Sequence, residues 1–226
     1  MVGNKFKRFI YNPYVARIIV RLLAKLHHAS YSLIGSFASA AEGGLHPKHR
    51  IMNYHKFFLD NVSVGDSILD VGCGNGFLLA DLSRKAQSLS VGIDISEENI
   101  QEARRRLADM TNAKVFLDDI WNFDDNQTYN VIILSNVLEH LDRRPELLRR
   151  LKVKFKPNKL LVRVPVFDRE WLVPYKKELG VEWRLDSTHE IEYTDEILRS
   201  ELAEGGYSIK EITWKWGELY AVAIPY

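Results

Sequence analysis

Seven consecutive residues carry the first chemical signal: Asp70-Val71-Gly72-Cys73-Gly74-Asn75-Gly76. Glycines at this spacing let the backbone turn tightly and let a ligand lie against bare peptide. The loop follows the apolar run Ser67–Val71 and precedes a helical pattern from Phe77 to Gln87. That is the strand–loop–helix layout with which doubly wound sheets hold nucleotide-like ligands at the carboxyl end of the first strand. A dinucleotide cradle needs G-x-G-x-x-G/A. Here Phe77 stands at the third glycine's place and Gly76 falls one residue early, so the spacing reads G-x-G-x-G. Asp94 ends the next apolar run, 20 residues beyond Gly74. A carboxylate there can accept hydrogen bonds from ribose hydroxyls. Cys73 reads as a small packing residue rather than a nucleophile.

These residues need a frame, and the patterning supplies one. Strands are expected at 67–71, 89–94, 114–117, 129–134 and 159–164, with helices at 77–87, 96–110 and 145–155 between them. Ser96 serves as an N-cap with Glu97 and Glu98 in the first turn. A short helix is expected from Lys48 to Asn61. After Pro165 the alternation stops until Tyr193. Thr194 then caps a further helix, and strands at 207–214 and 219–224 flank Gly217, close enough to be antiparallel. Repeated strand–helix units with buried strands imply an α/β fold: a Rossmann-like, doubly wound, mostly parallel seven-stranded sheet with an antiparallel last strand, preceded by an N-terminal helical arm.

The motifs along this frame resemble those of class I S-adenosylmethionine-dependent methyltransferases. The similarity runs through Ile68–Gly76, Gly92-Ile93-Asp94-Ile95-Ser96, Leu117-Asp118-Asp119-Ile120 and Ser135-Asn136-Val137-Leu138-Glu139-His140, in order, and covers about Met52 to Pro225. The resemblance implies S-adenosylmethionine as cofactor and methyl transfer as activity. It implies that Gly72, Gly74 and Gly76 line the methionine part, with Asp70 ordering the loop and the nearby amino group. It further implies that Asp94 holds the ribose, Ile95 flanks the adenine, Asp119 and the Ile120 N–H meet the adenine, and Asn136 and Leu138 border the reactive methyl. Asp118 and Asp119 also read as solvated loop carboxylates. His140, directly after the fourth strand, is the candidate base, with Glu139 a weaker one. A free imidazole titrates near ~6.5, which suits proton removal from an acceptor. His140 reads equally as a cap within its loop.

The acceptor is expected to be a small molecule, such as a lipid-linked, quinone-like or sugar metabolite. Arg50, Tyr54 and His55, with Trp171, Tyr175, Arg184 and His189 from the stretch 166–193, are its candidate contacts. The aromatics of that stretch read equally as a satellite core. No metal is expected. One alternative is a metal-dependent 2′-O-methyltransferase of RNA 3′ ends, since Glu139-His140 and His189–Thr194 resemble part of that metal site. Asn136 stands where its first carboxylate would be, and nucleic acid is not the expected partner. Another alternative is a protein that binds the cofactor without catalysis, or that works at a membrane surface.

Composition bounds the rest. The 226 residues are 46% hydrophobic and 27% charged, with one cysteine, which excludes an internal disulfide framework and a cysteine-cluster zinc site. A reducing, cytoplasmic compartment fits such a chain. The net charge of +1 hides an asymmetry. Residues 1–56 hold nine basic residues, among them Lys5, Lys7, Arg8, Arg17, Arg21 and Lys25, against the single acid Glu42, so the remainder of the chain is acidic. Five of the seven histidines fall in that first segment. Arg17, Arg21 and Lys25 interrupt the apolar run 14–26 at four-residue steps, so it cannot span a bilayer and reads as an amphipathic helix. Its face of Ile18, Ile19, Leu22, Leu23 and Leu26 can pack on the protein as a lid or lie on an anionic surface, making the protein peripheral to a membrane. The expected division is an arm at 1–44 and a methyltransferase domain at 45–226, with a substrate region at about 166–193.

Overall fold

The computed structural model describes residues 11–226, so the cations Lys5, Lys7 and Arg8 lie outside the described residues. Chain order gives α1 (Pro13–Ala41), α2 (Lys48–Met52), α3 (His55–Asp60), β1 (Ile68–Val71), α4 (Phe77–Ala86), β2 (Ser90–Asp94), α5 (Glu97–Arg106), β3 (Ala113–Leu117) and β4 (Val131–Ser135). A 3₁₀ turn, Leu138–His140, follows, then α6 (Arg144–Phe155), β5 (Lys159–Pro165), α7 (Leu172–Glu178), α8 (Asp195–Glu204), β6 (Tyr207–Lys215) and β7 (Glu218–Pro225).

The strands form one sheet in the order β3-β2-β1-β4-β5-β7-β6. The first five are parallel, and β7 lies antiparallel to both β5 and β6. β1 and β4 pair from Ile68↔Val131 to Val71↔Leu134, so the loops that follow them open side by side. The apolar runs become strands because they are buried on both faces: Ile68, Leu69, Ile132, Ile133, Leu160 and Leu161 are fully enclosed. Each such side chain contributes roughly 1.5–3 kcal/mol of burial. β6 is an edge strand and carries a register shift between Ile209 and Glu211.

Two contacts set the segments that reach the site. Arg144, on the first turn of α6, donates through Nε to both carboxylate oxygens of Glu201 on α8 (2.9 and 3.0 Å), and the Tyr193 hydroxyl donates to Glu201 Oε2 at 2.8 Å. The segment 188–193 is thereby fixed against the sheet, where Tyr193 N donates to the Pro165 carbonyl (2.8 Å). On the other side, Gly92 on β2 faces Leu79 and Cys73 so closely that a Cβ would stand 2.6 Å from Leu79 Cδ2 and 2.8 Å from Cys73 Sγ.

The expected helix 48–61 is broken in two at Asn53, whose φ of 46° is left-handed. The stretch 166–193 contains the short helix α7. α1 runs on to Ala41 beyond the apolar pattern, because the alanine- and serine-rich residues 29–41 hold no breaker stronger than Gly35. The chain groups into two compact units, one holding the residues up to Met52 with Phe167–Ser187, the other Asn53–Val166 with Thr188–Tyr226. The arm and most of the stretch 166–193 thus fold together. Within the first unit, Ala24 and Val20 pack against Tyr175, Leu179 and Val181. The larger residues Ile18, Leu22, Leu23 and Leu26, the face a lid would bury, are 45–66% exposed.

Gly92→Ala places a methyl where there is no room and is expected to destabilise the protein by about 1–3 kcal/mol. A fall in the urea midpoint with an unchanged denaturant slope checks it.

Candidate cofactor and acceptor site

The glycine loop folds over the carboxyl end of β1. Gly72 has φ 68°, and a Cβ there would stand 2.7 Å from Val137 Cγ2, so the loop after β1 meets the loop after β4 in van der Waals contact. Gly74 has φ 54°, and a Cβ there would meet nothing within 4 Å. The loop is held by the carboxylate that ends β2: Gly74 N donates to Asp94 Oδ2 and Ser96 N to Oδ1, both at 2.8 Å.

A cavity of about 340 Å³ opens here. Gly72, Asp94, Ile95, Asp119, Ile120, Asn136 and His140 all line it, together with Val71, Ile93, Asp118, Trp121, Val137 and Leu141. Ile95 is 78% exposed, an apolar side chain left open beside an acid that ends a strand. Asp119 Oδ1 accepts from Trp121 N (3.0 Å), which shapes the turn that presents Ile120 and Trp121. Gly74 and Gly76 shape the loop without lining this cavity. Leu138 corrects the sequence expectation. The 3₁₀ turn rotates it into the core, where it is fully buried, and Val137 takes the place beside the cavity.

Asp70 lies in β1 beneath the loop, 1% exposed, and its Oδ2 has no hydrogen-bond partner among the described residues. Burial, and secondarily the Asp94 charge, push its carboxyl up to about 8. A buried carboxyl with one oxygen left unpartnered among the described residues, beside an open peptide loop, suits an ammonium group. Burial pushes the Cys73 thiol up as well, which leaves it unsuited to nucleophilic work.

The far wall is a polar network. Asn136 has φ 56°, left-handed, and donates from Nδ2 to Glu139 Oε1 at 2.8 Å. Arg163 on β5 donates to Asn136 Oδ1, lies 3.7 Å over the Tyr54 ring and stands 3.6 Å from Glu218. Glu139 is fully buried, and its Oε2 is without a partner among the described residues. Burial pushes its carboxyl up to about 7, although its own backbone, Asn136, His189 and Arg163 oppose the shift. His140, exposed at the cavity, meets Thr188 Oγ1 through Nδ1 (3.0 Å) and the edge of the His189 ring (centroids 4.8 Å apart). His189 Nδ1 is 3.2 Å from Glu192 Oε1. Ligand atoms of Glu139, His140 and His189 fall within 4.8 Å of one another, a group able to hold a cation.

Of the expected acceptor contacts, His189 is the one that reaches His140. Tyr54 is buried under Arg163, and His55 pairs with Asp81 (2.8 Å). Arg50 pairs with Glu42, Arg184 with Glu182 (2.9 Å), and Trp171 stacks at a tilt on Tyr175 (5.9 Å), all in the first compact unit. Arg163 escaped the sequence reading, although a cation inside the apolar run Leu160-Leu161-Val162-Arg163-Val164 was its signal.

Residues 44–211 match the family described as a methyltransferase domain. The chain belongs to the class I S-adenosylmethionine-dependent methyltransferase family. The chain is 30% identical over 132 residues to the ubiquinone biosynthesis O-methyltransferase of Bradyrhizobium diazoefficiens, covering 56% of this chain and 51% of that one. It is 28% identical over 101 residues to the malonyl-[acyl-carrier protein] O-methyltransferase of Halalkalibacterium halodurans, covering 42% and 37%. The chain thus spans about half or less of the length of these curated relatives. Among solved structures, a small RNA methyltransferase superposes with a TM-score of 0.64 at 20% identity, over 77% of this chain and 25% of that one. Magnesium protoporphyrin IX methyltransferase from Synechocystis PCC 6803, with bound SAH, superposes with a TM-score of 0.58 at 19% identity, over 100% and 95%. At these identities the superpositions establish the shared fold.

The raised carboxyls of Asp70 and Glu139 have a consequence for pH. Folded Asp70 releases its proton at about 8, against 3.8 ordinarily, so between those values the folded state holds a proton that the unfolded state has lost. Stability of the ligand-free protein therefore falls as pH rises from about 4 to 8, and Glu139 adds the same sign up to about 7. Asp70→Asn should flatten this slope, most strongly between about pH 5 and 7 where the difference in bound protons is greatest, checked by urea midpoints from about pH 5 to 8.

Proposed function

We propose that this chain transfers the methyl group of S-adenosylmethionine to a small-molecule acceptor, with His140 as the base. The observation that carries the reading is the buried Asp70 carboxyl, whose Oδ2 has no partner among the described residues, under a glycine loop that opens, through Gly72, onto a cavity edged by His140. S-adenosylmethionine, when bound, supplies a methyl on a sulfonium that is already activated for in-line attack. The chain supplies placement. Asp70 and the loop N–H groups hold the methionine end. Asp94 accepts from the ribose through the capacity left on Oδ2, since Oδ1 already accepts from Ser96 N and the Asn99 amide. Ile95 and Ile120 enclose the adenine, and Asp119 accepts from its amino group. Val137 and Asn136 border the methyl. His140, steadied by Thr188, takes the acceptor's proton as the new bond forms, and proximity supplies much of the rate. Relatives named for ubiquinone, malonyl-carrier and alkaloid methylation favour a small or carrier-linked acceptor, of lipid-linked, quinone-like or sugar chemistry. The single buried cysteine accords with a reducing, cytoplasmic setting.

Calorimetric titration with S-adenosylhomocysteine tests the cofactor assignment. Wild type should bind with micromolar affinity, and Asp94→Ala should weaken binding at least ten-fold. Absence of binding would overturn the reading. His140→Ala should leave that affinity unchanged while lowering kcat on an identified acceptor by about 10²–10⁴.

The convergence of Glu139, His140 and His189 favours a second reading, in which a divalent cation sits at the acceptor and the acceptor is the terminal 2′-hydroxyl of an RNA. Asn136 provides an amide where a second carboxylate would bind, and that amide is engaged with Glu139. Titration with Mn²⁺ discriminates. Tight binding lost in His189→Ala, with activity abolished by chelation, would carry the second reading. Full activity after chelation would end it.

A further inference from the structure

Helix α1 presents an apolar stripe that its own unit leaves open. Ile18, Leu22, Leu26, Leu33 and Phe37 are 45, 62, 66, 58 and 71% exposed. At helical spacing they fall within one arc of about 100°. The residues that pack on α7, Val20 and Ala24, lie on the opposite side. Exposed Arg21 and Lys25 flank the stripe on one side, Arg17 lies further round beside Val20 and Tyr175, and Tyr11 and Tyr14 stand exposed at the helix start (77 and 75%). The helix contains no acidic residue. Its 29 residues extend about 44 Å, yet no helix of the described residues is long and apolar enough to cross a membrane.

We propose that α1 docks lengthwise on an anionic lipid bilayer. The stripe enters the boundary between headgroups and acyl chains, and the arginine and lysine stems reach back along it to lipid phosphates. Charge selects this occupant. Two copies packed stripe to stripe would bring Arg21 and Lys25 of each helix to the contact, with no carboxylate on either helix to answer them. A neutral bilayer would leave the same cations without partners. Tyrosines at the helix start suit an interface that is apolar on one side and wet on the other.

The test is co-sedimentation of the full chain with vesicles of phosphatidylcholine alone and of phosphatidylcholine with phosphatidylglycerol. Wild type should partition to the anionic vesicles and release at high salt. Each cation at such a surface is worth roughly five-fold in partitioning, so Arg21→Gln with Lys25→Gln should cost about 25-fold. Leu22→Ser, Leu26→Ser and Phe37→Ser together should cost roughly ten-fold or more. All five positions are exposed, and unchanged circular dichroism would show that the helix survives. Equal binding to both vesicle types, no binding to either, or undiminished binding by the serine variant would each overturn the proposal. A dimer in sedimentation velocity that the serine variant abolishes, without vesicle binding, would assign the stripe to a second copy instead.

Discussion

The Asp94 carboxylate is the interaction on which the site depends. It ends β2 and spends one oxygen on Gly74 N and the other on Ser96 N and the Asn99 amide. One side chain thus fixes the loop after β1 and starts the helix after β2. A hydrogen bond to a charged acceptor is worth about 1.5–3 kcal/mol, twice the neutral kind, and glycine loops have the most conformational freedom to lose. Without that clamp the loop would not hold the shape that leaves Gly74 open and brings Gly72 against Val137. Its charge also acts downward, adding to the burial that keeps the Asp70 carboxyl protonated in the folded state.

The sheet then decides which loops can meet. Parallel strands β1 and β4 are neighbours, so the glycine loop and the segment Asn136–His140 must emerge together. The segment 188–193 reaches the same place because Arg144, Tyr193 and Glu201 tie it to α6 and α8. Three stretches distant in sequence therefore share one small volume. At Glu139 its chemistry is a contest between burial, which favours the neutral carboxyl, and the hydrogen bonds from its own backbone and Asn136, with smaller help from His189 and Arg163.

Much of this was legible in the amino-acid order because strands buried on both faces read as unbroken apolar runs, and Ser96 and Thr194 mark helix starts by side-chain caps that the fold indeed uses. The glycine and acid spacings located the cavity for the same reason: backbone conformations that only glycine adopts easily are visible as glycines. Where the structure adds to the reading, the deciding force is tertiary. Leu138 lies in the core and Val137 at the cavity, in and beside a 3₁₀ turn that no periodicity reveals. The grouping of α1 with residues 167–187 rests on Ala24 meeting Leu179 and Val181, a contact across more than half the chain. The weak signals of Ala24 and Val20 were overshadowed by larger neighbours that turn out to be exposed.

The register shift in β6 reaches beyond the fold itself. β6 is an edge strand, and an edge with unpaired peptide groups is a template on which another chain can add a strand. The shift between Ile209 and Glu211 bends that edge out of line, and Lys210 and Lys215 set charges along it. An incoming strand would meet an interrupted ladder and cationic side chains. The irregularity lies within the β6–β7 pairing, which continues on both sides of it, and such a bulge with charged side chains makes an edge a poorer template for a further strand.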